Sequence, residues 1–143
     1  MTKEELKSVF GRICRSVSDF EFDCLVIHGS ELPLKTLVRP TPFFIEFNTV
    51  LQMEGQGFNS GSKRRFFSFL NQLNQKTNLT KLTADGVTSG IWTVHAKMMI
   101  VSGVESTAYG DDALSNLLTL WHQDIANIIA TKDRYQITGI MQA

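Results

Sequence analysis

The sequence predicts an α+β protein: an antiparallel β-sheet with helices mainly on one face, in the order α-β-β-β-α-β-β-α. Three observations carry that expectation. Stretches with apolar residues every three or four positions are interleaved with stretches of apolar–polar alternation. The alternating stretches are separated by tight turns, which favours antiparallel neighbours. The three helical stretches each carry an apolar stripe that needs a sheet face to cover.

Taken in order, Thr2-Lys3-Glu4-Glu5 forms a capping box, and Leu6, Val9, Phe10, Ile13 and Val17 follow at helical spacing, predicting a first helix that ends near Ser16. Phe20 to His28 alternates as a strand with both faces partly apolar, and Gly29-Ser30 breaks it. Leu34 to Val38 is a short second strand bounded by Pro40 and Pro42. Phe43 to Met53 is a long third strand, with Phe43, Ile45, Phe47, Leu51 and Met53 set against Glu46, Asn48 and Gln52.

The loop Gly55 to Gly61 leads into a helix over Lys63–Thr77, with Ser60 or Ser62 as its cap and Phe66, Leu70 and Leu73 on one face. Leu79 to Ala84 is a short strand, Asp85-Gly86 a turn, and Ile91 to Val101 the longest strand. Asp111 and Asp112 place negative charge at the start of a last helix. Leu114, Leu117, Leu118, Trp121, Ile125, Ile128 and Ile129 make its stripe. Burying that stripe gives roughly 10–20 kcal/mol gross. Ordering the helix costs about as much, so it must lean on a sheet. Beyond Thr131, Tyr135, Ile137 and Ile140 suggest a tail that docks.

A chain of 143 residues suits one domain, 1–143. Lysine plus arginine equal aspartate plus glutamate at 14 each, so no global field favours nucleic acid or an acidic membrane. Apolar runs fall far short of the roughly 20 residues that span a bilayer. The opening Met1-Thr2-Lys3-Glu4-Glu5 lacks the basic-then-apolar order of a signal peptide. Cys14 and Cys24 form no Cys-x-x-Cys pair and read as free thiols. A cytoplasmic location is the default expectation.

The segment Phe69-Leu70-Asn71-Gln72-Leu73-Asn74, followed by Leu79–Gly86, the strand through Ile91–Ile100 and the final helix, resembles the YbjN-like family of bacterial proteins. That family is described as sensory transduction regulators with a fold like that of type III secretion chaperones. The element order is similar across nearly the whole chain, and the Leu-Asn motif region covers about forty residues. The resemblance implies a non-enzymatic protein that dimerises or holds a partner chain. The Gly55–Gly61 loop and the basic triplet after it depart from the family pattern.

No residue set announces a reaction, and neither a catalytic residue nor a cofactor is expected. The loop before Lys63 fails the P-loop spacing, because five residues separate Gly55 from Gly61 and Ser62 precedes Lys63. The alternative reading is a small-molecule or anion-binding domain that uses the Gly-rich loop and the basic helix start, with a looser anion site of Ser62, Lys63, Arg64 and Arg65. His28, His95 and His122 lie at no metal-ligand spacing, and no serine sits in a Gly-x-Ser-x-Gly elbow. Lys63-Arg64-Arg65-Phe66-Phe67 is the sole basic–aromatic cluster, too little to expect nucleic-acid binding.

The surface expected to carry function is the second face of the sheet. Trp92, Val94, Ala96, Met98 and Ile100 should face the helices, leaving Ile91, His95, Met99 and Val101, with Phe44 and Val50 of the neighbouring strand, on the outer side. That side is more apolar than a plain surface, which marks an interface. Phe67 of the second helix joins this partner-binding set because it points away from Phe66, Leu70 and Leu73. The expectation is a protein-binding module, chaperone-like or a regulatory adaptor, acting as a homodimer.

Overall fold

The computed structural model describes residues 3–21, 23–28, 35–54, 60–77, 79–88, 90–101, 110–131 and 136–139. They form α1 (Lys3–Ile13), β1 (Ser16–Asp19), β2 (Leu25–His28), β3 (Lys35–Pro40), β4 (Phe44–Glu54), α2 (Ser60–Lys76), β5 (Lys81–Thr88), β6 (Ile91–Val101), α3 (Gly110–Ala130) and β7 (Gln136–Gly139). The fold is α+β as the periodicity predicts, with β1 and β7 as short additions to the expected order. Thr2, Tyr135, Ile140 and most of the Gly55–Gly61 loop lie outside the described residues.

All seven described strands join one sheet, six in the order β1-β2-β3-β4-β6-β5 and β7 off that path beside β4, and every pairing is antiparallel. The spine is the ladder between β4 and β6, which runs from Phe44–Val101 to Glu54–Ile91 without a break. The other edge of β4 is shared. Pro40 to Leu37 of β3 pair with Ile45 to Asn48, and β7 pairs with Leu51 to Glu54.

Several boundaries differ from the sequence expectation. Helix α1 makes its last bond from the Cys14 amide to the Phe10 carbonyl (2.8 Å), and Val17 lies in β1 instead of the helical stripe. Ser16, Ser18 and Asp19 around it are weak helix formers, and Val17 still reaches the core from a strand. The first half of the expected Phe20–His28 strand is spent turning: the Phe20 amide donates to the Cys24 carbonyl (2.9 Å) and the Cys24 amide to that of Glu21 (3.2 Å).

Asp85-Gly86 is not the hairpin turn. Asp85 is the extra residue of a β-bulge, because Ala84 pairs with Val94 and Gly86 with Thr93. The reversal lies between Thr88 and Ile91, which pair, and Gly90 there has φ 80°, a conformation that suits glycine. The bulge resets the alternation, so Val87 packs against the core opposite Trp92 while Asp85 goes to the other face. Finally, Phe43 belongs to a turn and not to the buried side of β4. Thr41 clamps that turn, its amide donating to the Phe44 carbonyl (2.7 Å) and its hydroxyl accepting the Phe44 amide (2.9 Å), with Pro42 and Phe43 at the tip.

The three helices pack on one face. Phe10 of α1 meets Phe47 edge-on at 6.0 Å, and Trp121 of α3 lies 6.5 Å from the same ring. Phe66 of α2 stacks on Trp92 at 4.1 Å. Ile45, Phe47, Leu51 and Met53 of β4 and Trp92, Val94, Ala96, Met98 and Ile100 of β6 are buried beneath them. Two threonines on this face are also buried and bonded: the Trp121 indole donates to Thr36 Oγ1 (3.3 Å), and the Thr49 hydroxyl to the Lys35 carbonyl (3.0 Å).

The Leu-Asn helix has a clear task. Leu70 and Leu73 are buried, and the Asn74 amide grips the backbone of Leu82, Oδ1 accepting its N–H (2.7 Å) and Nδ2 donating to its carbonyl (3.1 Å). Strand β5 is the edge of the sheet, so this side chain supplies the pairing that a further strand would otherwise provide.

Candidate functional site

The face away from the helices carries most of the residues singled out in the sequence. Cross-strand register places Val26, Leu37, Asn48 and Lys97 in one row, Arg39, Glu46 and Met99 in the next, and Val50, His95 and Thr83 in a third. No described helix packs on this face.

Its centre is polar. Glu46 binds two cations, Arg39 Nη2 at Oε2 (2.6 Å) and Lys97 Nζ at Oε1 (3.4 Å). Burial pushes the Glu46 carboxyl up, but Arg39 and Lys97 together outweigh it and hold the group below its ordinary range. Beside them, His95 Nε2 donates to Asp85 Oδ2 (3.3 Å), so in the neutral ring Nδ1 accepts from Asn48 Nδ2 (3.2 Å). The bulge at Asp85 is what brings that carboxylate over β6. Asp23, another carboxylate of the neighbouring loop, is exposed and takes no part.

One corner is apolar. Phe44 pairs with Val101, and Met99 lies diagonally across from Phe44 on the same face. Val101 is 65% exposed, Met99 56% and Phe44 43%, and Phe43 at the adjacent turn reaches 75%. Phe43 is the member that sequence reasoning assigned to the core; the Thr41-Pro42 turn was the available signal.

The rest of the expected contact set does not join this corner. Val50 lies on the outer face, paired with His95, but is only 7% exposed and presents no surface. Ile91 is at the other end of β6, about 33 Å from Val101 at strand rise. Phe67 is on the helical side of the sheet, half-exposed and edge-on to Trp92 at 5.6 Å. His95 is engaged by Asp85 and Asn48.

The alternative anion site is placed differently from the sequence reading. Helix α2 begins at Ser60, so the backbone of Ser62 is already helical. Lys63, Arg64 and Arg65 are exposed along its first turns, while Phe66 is fully buried and unable to stack on a base. Among the described residues no group of three or more His, Cys, Asp or Glu is placed to hold a metal ion.

The thiols are separated by the β1–β2 hairpin. Ser16 pairs with His28 and Asp19 with Leu25, which sets Cys14 and Cys24 at opposite ends, beyond disulfide reach, and both are free. Burial pushes the Cys14 thiol up to about 11, which makes it a poor nucleophile at neutral pH.

Comparison with protein-family models, with curated proteins and with solved structures found no match. Among the described residues no helix is long and apolar enough to cross a membrane.

Proposed function

We propose that this protein is a non-enzymatic protein-binding module, chaperone-like or a regulatory adaptor, that acts in the cytoplasm as a homodimer. The observation that carries the reading is the exposed corner of Phe44, Met99 and Val101 on a sheet face that no described helix covers, with exposed Phe43 at the turn beside it. Four large apolar side chains grouped this way are costly to leave in water and suit a protein contact. The sheet edges point the same way. Asn74 closes part of the β5 edge and the Asp85 bulge disrupts the rest, while β1 is short and has Asp19 held by Lys3 (3.2 Å) and Lys7 (3.0 Å). Edges managed like this disfavour strand addition and leave a face as the contact surface. The YbjN-like resemblance of the Leu-Asn helix and the strand after it supports the same class of function.

Light scattering over a concentration series tests this. The expected result is a dimer that Met99→Glu and Val101→Glu convert to monomer while the circular dichroism spectrum is retained. A monomer at every concentration, or variants that remain dimeric, overturns the homodimer reading.

A further inference from the structure

The outer face also holds a cavity of about 280 Å³ lined by Cys24, Leu37, Arg39, Glu46, Asn48 and Lys97. This is near the lower end of the roughly 300–1,000 Å³ of small-molecule sites. Its lining divides in two. Leu37 and Cys24 give it an apolar side, and Arg39, Lys97, Glu46 and Asn48 give it a polar one.

The charges do not cancel. Two cations face one carboxylate, which leaves one positive charge at the polar end. Nor are the donors used up. Arg39 spends only Nη2 on Glu46, so its Nε and second amino group are available, and Lys97 makes a single long contact at 3.4 Å. Glu46 is largely buried and pairs with both cations, which draws their charged ends to one side of the cavity. A guanidinium held this way matches a planar carboxylate in two parallel hydrogen bonds.

We propose that this cavity binds a small organic monocarboxylate, its carboxylate held by Arg39 and Lys97 and its apolar stem lying on Leu37 and Cys24. The single excess positive charge sets the ligand charge at minus one. The volume limits the stem to a few carbons or one ring. The site does not depend on dimerisation, although Met99 borders it through its pairing with Glu46.

The test is an amide-resonance titration of the full chain with butyrate and with benzoate, using butanol and inorganic phosphate as comparators. The expected result is saturable shifts centred on Cys24, Leu37, Arg39, Asn48 and Lys97 with either carboxylate and none with the alcohol. Lys97→Met and Arg39→Gln should each weaken binding by about tenfold or more, and Lys97→Arg, which keeps the charge, should retain it. If a neutralising variant fails to fold, the wild-type comparison of carboxylate with alcohol decides. Absence of saturable shifts, equal affinity in the folded neutral variants, binding of butanol, or tighter binding of phosphate than of both carboxylates overturns the proposal.

Discussion

Asp124 is a carboxylate inside the core, whereas the other acids among the described residues lie at the surface or on the open face. It is 2% exposed, and its Oδ2 accepts from the amides of Leu79 (3.0 Å) and Thr80 (3.1 Å) and from the Thr80 hydroxyl (2.9 Å). One side chain of α3 thereby fixes the entry to β5. Replacing it by alanine strands those donors, and the expected loss is about 2–4 kcal/mol, read as a lower urea midpoint at constant slope. Asp124→Asn keeps one acceptor and should cost less. The helical stripe contains the signal for this residue, since 124 follows Trp121 by three positions and precedes Ile128 by four. What the stripe does not reveal is the partner, forty-odd residues earlier in the chain. Val50 shows the converse. Alternation assigns it to the outer face correctly, but that it is buried there does not follow from alternation along one strand.

At the scale of elements, the long periodic stretches were legible and the short ones were not. Both ends of β6 and the full stripe of α3 follow from spacing alone. The Asp85-Gly86 pair is a strong local turn signal, yet a longer β5–β6 ladder and the burial of Val87 prevail over it. Helix α1 offers a direct test of local propensity. Gly11 is exposed inside it, and a Cβ there would meet its nearest atom, Val17 Cγ1, at 3.9 Å, an ordinary contact. Gly11→Ala should therefore stabilise the protein by about 0.5–1 kcal/mol, measured as a higher urea midpoint. A loss of stability would mean that the α1–β1 corner needs the glycine.

For the molecule as a whole, three ion-paired carboxylates among the described residues are held below their ordinary range and contribute to the acid limb of stability. Asp19 is held below its ordinary 3.8 by hydrogen bonds and charge from Lys7 and Lys3. Asp111 is held below the same value by Arg12, which reaches it with two bonds of 2.6 and 2.8 Å and joins the end of α1 to the start of α3. Glu46 lies below its ordinary 4.5 because Arg39 and Lys97 outweigh burial. A depressed folded value means that each pair contributes fully above the unfolded value and is lost as pH falls through the folded one. The carboxylate contribution should therefore be flat from neutrality down to about 4.5 and decline below it, and added salt should shrink the part that comes from Asp19 and Asp111, whose pairs are exposed to solvent. Urea midpoints across the acid range with and without salt check this. The candidate site was less legible than the fold for a related reason. Arg39, Glu46 and Lys97 come from three strands, and no spacing along one chain segment announces their meeting.

The divided edge of β4 has a consequence for how the chain matures. Synthesis proceeds from the amino end, so β3 can zip onto β4 early, whereas Leu51–Glu54 wait for β7, which is made more than eighty residues later. Until then one stretch of a central strand has its hydrogen bonds unmet beside the apolar side chains of Leu51 and Met53. Pairings so distant in sequence are slow to form because a long loop must close first. The unfinished chain therefore passes through a period in which it is adhesive, and a stalled or truncated copy would remain in that condition.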